Sequence, residues 1–205
     1  MTLGVPTSSE NGTYPYQGAR DSYRHLPLPG CRGTAIGTSQ WCKTGAESRY
    51  LASLTAMQAD HELSQRPAVL ADLEWARQTH HAAYRAVVQR QFGAWDEAQQ
   101  DHFFANDWLG GEFQLIACAG VPCGYVSIEE RPGDVHVREL VIAPAFQGRG
   151  IGTTVIANAI ETARQRQVPV VLGTLHENMA ANLYRRLGFV EVGQTDSHTL
   201  FRLDP

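Results

Sequence analysis

The sequence predicts an α/β domain of the mixed α+β kind: one sheet with antiparallel hairpins and helical crossovers, and helices on its faces. Three observations carry this. Residues 139–152, Glu-Leu-Val-Ile-Ala-Pro-Ala-Phe-Gln-Gly-Arg-Gly-Ile-Gly, read as a buried strand stopped at Pro144, a glycine-rich loop and a helix start. Two runs rich in Val, Ile, Tyr and Phe, 112–119 and 121–129, flank Gly120 as a hairpin. The segments then follow the order strand, helices, three strands, helix, strand, helix, two strands.

Taken along the chain, residues 1–56 are rich in Gly, Ser, Thr, Pro and Tyr and show no sustained period. They are expected to form a loop-rich or disordered leader, with the folded domain at 57–205. Met57 is an alternative start, in which case the leader is an over-extended reading frame; a partner-binding tail is the other reading. Leu63–Ala68 reads as a short strand, and Asp72 opens a helical pattern. Two partial stripes follow, Leu70/Leu73/Ala76/Arg77 and Tyr84/Val87/Val88/Phe92, which predict two helices with a weak break before Gly93. Trp95–Phe104 reads as another short helix with Asp96 near its start. After the hairpin, Arg131-Pro132-Gly133-Asp134 is a turn. Val135–Ile142 alternates and then becomes wholly apolar, as a strand half exposed at first and buried at its end. Ile151, Val155, Ile156, Ala159, Ile160 and Ala163 have helical spacing. Val168–Leu172 is a buried strand. Ala180, Leu183, Tyr184 and Leu187 mark a helix closed by Gly188. Phe189–Val192 and Thr199–Leu203 are the last strands.

Composition narrows the function classes. The formal charge is −4 and the pI about 6.0, so no basic field exists for nucleic acid or anionic lipid. No apolar run reaches membrane-spanning length, and residues 1–10 lack the charged start and long apolar stretch of a secretory signal. A cytoplasmic protein with no nucleic-acid or membrane partner is expected. Cysteines stand at 31, 42, 118 and 123, without a Cys-x-x-Cys pair, so no metal site is expected. Cys118 and Cys123 could face each other across the hairpin, and reduced, packed thiols are expected.

Two motifs carry the chemistry. In Gln147-Gly148-Arg149-Gly150-Ile151-Gly152 glycines alternate, which lets backbone N–H groups approach phosphate oxygens at the positive mouth of a helix. A plain strand-to-helix turn is the alternative. The spacing is neither the dinucleotide fingerprint nor a Walker A loop. In Asn178-x-x-Ala181-x-x-Tyr184-x-x-x-Gly188-Phe189, Asn178, Ala181 and Tyr184 share roughly one helical face. Asn178 could cap the helix, and Tyr184 could belong to the core.

In this order and spacing the two motifs resemble the GNAT superfamily of N-acetyltransferases. Leu140-x-Ile142-x-Pro144-x-x-Gln147-Gly148-x-Gly150-x-Gly152 matches its acetyl-CoA motif, and Asn178 through Phe189 its second motif. Arg66-Pro67-Ala68 with Asp72 is similar to its first strand and helix. The resemblance covers about residues 62–203. It implies a mostly antiparallel sheet splayed between its fourth and fifth strands. It implies acetyl-CoA as cosubstrate, with pantetheine along Leu140, Val141 and Ile142 and the diphosphate on Gln147, Gly148, Arg149, Gly150, Ile151 and Gly152. Asn178 is expected to contact pantetheine, and Tyr184 to be the general acid.

The implied reaction is attack of a primary amine, on a small molecule or a peptide, upon the thioester. The proton acceptor is Glu139, His136 or water; strand alternation sets Glu139 and His136 on opposite faces. The acceptor site in this fold is lined by the early helices and central strands, here carrying Phe92, Trp95, Asp96, Glu97 and Glu129, and acidic groups among aromatics suit a cationic amine. A non-catalytic acyl-CoA-binding or sensing module and a protein N-terminal or lysine acetyltransferase are the competing classes. A monomer or homodimer is expected.

Overall fold

The computed structural model describes residues 63–205. The expected leader, Met57, Cys31 and Cys42 lie outside the described residues. The elements are β1 (Leu63–Pro67), α1 (Leu73–Phe92), α2 (Glu97–Gly110), β2 (Gln114–Cys118), β3 (Val121–Arg131), β4 (Asp134–Ile142), α3 (Ile151–Arg166), β5 (Val170–Leu175), α4 (Ala180–Arg186), β6 (Val190–Gln194) and β7 (His198–Leu203). Single 3-10 turns at Leu70–Asp72 and Pro144–Phe146 lead into α1 and the glycine loop.

The strands form one sheet in the order β1-β2-β3-β4-β5-β7-β6. Only β4 and β5 run parallel, and they pair through just three positions, Val135–Val170, His136–Val171 and Val137–Leu172. Both strands continue beyond these pairs, β4 to Ile142 and β5 to Leu175. The sheet therefore opens between them, and the opening is where the chain's glycine loop follows β4.

Helices cover both faces. α3 packs Ile156, Ala159 and Ala163 on Val135, Val137, Val170 and Leu172, with Ala181 and Tyr184 of α4 in the same cluster. On the other face Ala76 of α1 and Phe104 of α2 meet Phe113, Tyr125 and Val141. Farther along α1, Val87 and Val88 close on Leu175 of β5.

The expected break in α1 is absent. It is one helix of 20 residues, ended by Gly93 at φ +81°. The apolar stripes look discontinuous because Thr79, His80 and His81 between them are buried polar residues. His80 is accommodated by Tyr125, whose phenol lies 3.0 Å from its Nδ1. At the corner before α1, Arg66 holds Asp72 through two 2.7 Å contacts, and Asp72 also accepts from the Val69 N–H at 2.8 Å. Asp96 caps α2 as expected, accepting from the Gln99 N–H at 3.0 Å. Cys118 and Cys123 are buried free thiols, and burial pushes the Cys123 thiol up to about 11.

Candidate active site

The glycine loop is built for close approach. Gly148 and Gly150 stand at φ +74° and +81°, a left-handed backbone that side-chain-bearing residues rarely adopt. Gln147 steadies the loop by donating from Nε2 to the Ile142 carbonyl at 2.9 Å. The first N–H groups of α3 have no intrahelical acceptor and face outward at the positive end of the helix dipole. These residues line a groove of about 530 Å³ bounded by Leu140, Val141, Ile142, Gln147 to Gly148, Gly150 to Gly152, Asn178 and Tyr184. A diphosphate fits this cradle by the chemistry of its donors.

Of the loop residues, Arg149 alone does not line the groove. Its guanidinium lies over the Phe146 ring, 5.1 Å from the centroid, and borders a separate depression with Thr154 and Asn158.

A second, smaller cavity of about 80 Å³ lies in the mouth of the opened sheet. His136, Arg138 and Glu139 of β4, Thr174 of β5, Asp107 of α2 and His198 of β7 contribute its polar lining. Tyr84, Leu140, Asn178, Ala180 and Tyr184 border both the groove and this chamber. The two spaces therefore meet at a boundary that carries two phenols.

The boundary residues are held from several elements. The Tyr184 ring packs against Phe189 and Phe201, with centroids 5.9 and 5.7 Å away. Tyr184 thus belongs to the core and also borders both spaces. Burial, and then the nearby Glu139 charge, raise its phenol above the usual range, so it stays protonated at neutral pH. Tyr84 donates to Glu139 Oε1 at 2.6 Å. Asn178 stands one residue before Met179, the N-cap of α4, and its Oδ1 accepts from the Ala180 N–H at 3.0 Å. Its amide NH2 is not used in that contact.

The expectation that His136 and Glu139 face opposite ways fails. Ser127 pairs with Glu139 and Ile128 with Val137, leaving Arg138 as an extra residue in β4. Such a bulge inverts the alternation beyond it. Val137 and Leu140, an odd number apart, accordingly share one core cluster, and His136 and Glu139 line one chamber. Burial, aided by the Arg131 charge, pushes His136 down to about 4. Burial, with His176 nearby, brings His198 to about 4 as well. Both imidazoles are neutral at pH 7.

The early-helix residues are arranged differently from expectation. Phe92 is an exposed residue at the end of α1. Trp95 lies under the Arg85 guanidinium and donates to Glu97 Oε2 at 3.2 Å. Glu97 is engaged by Arg85 at 2.9 Å, which holds its carboxyl below the usual range. None of the three lines the chamber. Glu129 reaches its wall through others, 3.0 Å from Arg138 Nε and 3.7 Å from His136 Nδ1. Tyr84, Asp107, Arg138, Thr174 and His198 are lining residues that sequence reasoning missed. They come from separate elements, and no spacing in the sequence links them.

A sheet prised open between β4 and β5, with a glycine cradle beside the gap, defines an acyltransferase-type fold. The chain belongs to the acetyltransferase (GNAT) family, whose model matches residues 70–189. Over 94 residues it is 37% identical to an uncharacterized N-acetyltransferase of Methanocaldococcus jannaschii, a stretch covering 45% of this chain and 40% of that protein. Over 95 residues it is 36% identical to the N-acetylaspartate synthetase of Danio rerio, covering 44% of this chain and 34% of that protein. These matches thus span well under half of each relative. Among solved structures, the PaiA N-acetyltransferase of Thermoplasma acidophilum in complex with coenzyme A gives a TM-score of 0.58 at 13% identity, over 70% of this chain and 99% of its own. The ribosomal-protein-S18-alanine N-acetyltransferase of Escherichia coli gives 0.50 at 19%, over 69% and 93%. The structural likenesses establish the shared fold. Among the described residues no helix is long and apolar enough to cross a membrane. No group of three or more His, Cys, Asp or Glu there is disposed to hold a metal ion.

Proposed function

We propose that this chain is an acetyl-CoA-dependent N-acetyltransferase that moves an acetyl group to a primary amine by direct attack. The single observation that carries the reading is the junction of the two spaces. A groove ending at a diphosphate cradle meets a polar chamber at Tyr84, Leu140, Asn178, Ala180 and Tyr184. The coenzyme A of the Thermoplasma acidophilum structure supports acetyl-CoA as the occupant of the groove.

In this reading the diphosphate rests on the N–H groups from Gln147 to Gly152, and the thioester lies where the two spaces meet. The amine enters the chamber. It needs an unprotonated lone pair, so a base must take its proton. Glu139 is the preferred base, because it lines the chamber and Tyr84 fixes it. His136 lines the same wall and, neutral at pH 7, is the alternative acceptor. The nitrogen then bonds to the thioester carbon. A backbone N–H near Val141 or Ile142 is suited to receive the oxyanion. Collapse breaks the carbon–sulfur bond, and Tyr184 gives its proton to the leaving thiolate. The products are the amide and coenzyme A.

The chamber's small volume favours a small amine over a protein chain. The name of the Danio rerio relative, an N-acetylaspartate synthetase, supports an amino compound of that size. The test is thiol release from acetyl-CoA by the full chain across polyamines, amino acids, aminoglycosides and peptides. Release stimulated by an amine supports the reading. Tight acetyl-CoA binding with no release on any amine would make the chain a binding module instead.

A further inference from the structure

Arg138 is the residue inserted at the β4 bulge, and no step of the acetyl transfer uses it. Its side chain is only 8% exposed, yet it lines the chamber. A guanidinium keeps its charge at any working pH and presents five N–H donors. Burying one is costly unless its donors are matched. Here Nε faces Glu129 Oε1 at 3.0 Å, and Nη1 reaches the Gly110 carbonyl at a long 3.4 Å. Glu129 is itself 42% exposed, so water weakens its hold. Among the described residues no acceptor is placed on Nη2.

The chain leaving α2 also lies close over the group: a Cβ on Gly111 would stand 2.5 Å from Arg138 Nη1, so a side chain there would displace the guanidinium. The bulge has a second consequence. Arg138 and Glu139 are consecutive, and consecutive strand residues ordinarily face opposite ways, but both line this one chamber. A positive and a negative group thus stand side by side on one wall.

We infer that Arg138 is an anion subsite of the acceptor chamber, so that the acceptor is an amine that also carries a carboxylate: an amino acid or a close analogue. This rests on reading the chamber as the acceptor site. The carboxylate pairs with the outer edge of the guanidinium, and the amine sits toward Glu139, within the short span that separates the two groups of an amino acid. A fork-shaped donor suits a planar carboxylate.

The experiment pairs acids with neutral counterparts. Glycine, alanine, aspartate and glutamate are compared with their α-amides by thiol release from acetyl-CoA with the full chain. The α-amide amines are the weaker bases, so chemistry alone favours the amides. Wild type is expected to prefer the acids at least about tenfold in kcat/KM. Arg138→Gln is expected to erase that preference, with the acids falling at least about tenfold and the amides changing little. Arg138→Lys, which keeps the charge without the fork, is expected to retain a reduced preference, and serves if the glutamine variant does not fold. Equal use of acids and amides by wild type, or an equal fall for both in Arg138→Gln, overturns the subsite while leaving the transferase reading intact. Absence of turnover on every amine overturns the transferase reading, and the subsite with it.

Discussion

The Tyr84 phenol on α1 donates a 2.6 Å hydrogen bond to Glu139 Oε1 on β4, joining residues 55 apart in sequence. Tyr84 is in turn held by His80, one turn earlier on the helix, with ring centroids 4.5 Å apart. A helix on one side of the sheet therefore aims a carboxylate on the strand that borders the gap. A hydrogen bond to the charged form of an acid favours that form.

Removing that bond tests the role of the base. Tyr84→Phe leaves the ring packing and deletes the donor. The carboxylate loses the contact that aims it, so kcat should fall about three- to thirtyfold across the pH–rate profile, its acidic limb included. Glu139→Gln should flatten that limb altogether. A profile unchanged in both variants would transfer the role of base to water.

Tyr184 is tested at the other end of the reaction. Tyr184→Phe keeps the contacts with Phe189 and Phe201 but removes the proton meant for the thiolate. Turnover should fall at least about tenfold while acetyl-CoA affinity stays within about twofold. Steady-state kinetics beside calorimetric titration separates the two. Unaltered turnover would remove Tyr184 from the chemistry.

The loop conformation is tested at Gly148. A Cβ there meets no atom within 4 Å, so Gly148→Ala introduces no clash. The penalty comes from φ +74° alone, about 1–2 kcal/mol. If the loop relaxes to escape it, acetyl-CoA binding should weaken about five- to thirtyfold with little change in the unfolding midpoint. Loss of stability with intact binding would show that the turn serves the fold and not the ligand.

Stability should fall in acid. Burial pushes His80 to about 3 and His136 and His198 to about 4, against an ordinary value of 6.5. Above pH 6.5 these rings are neutral both folded and unfolded, and they have no effect on the balance. Below it the unfolded chain takes up protons that the folded chain refuses. Each ring then destabilises the fold by up to ~1.4 kcal/mol per pH unit, until its own folded value is reached near pH 3 to 4. Urea unfolding at pH 7.5, 6 and 5 measures the slope. His136→Gln should make it shallower; an unchanged slope would show that this ring is not protected in the native state.

The glycine-loop side of the candidate site was legible in the sequence because it is local. Pro144, the glycines at 148, 150 and 152, and the helix that follows occupy one continuous stretch, and positive φ at Gly148 and Gly150 follows from what glycine alone tolerates. Tyr184 and Asn178 sit on and before one short helix, at a spacing that a helix turns into proximity. The apolar periods likewise marked α3 and the strands around it. They misjudged α1, since buried Thr79, His80 and His81 interrupt the stripe without interrupting the helix.

The lining of the chamber was decided by tertiary structure. One inserted residue, Arg138, reverses the facing of β4, and a strand pattern read from composition has no mark for a bulge. Asp107, Tyr84 and His198 arrive from three elements whose positions depend on how helices and strands pack around the gap. Phe92, Trp95 and Glu97 have the residue types of an acceptor site but are engaged elsewhere or exposed. The sequence by itself determined the family of fold and the glycine loop at the mouth of α3, because both are written in short-range spacing. Which side chains share the chamber was settled only when distant segments met, because register and packing are properties of the whole sheet.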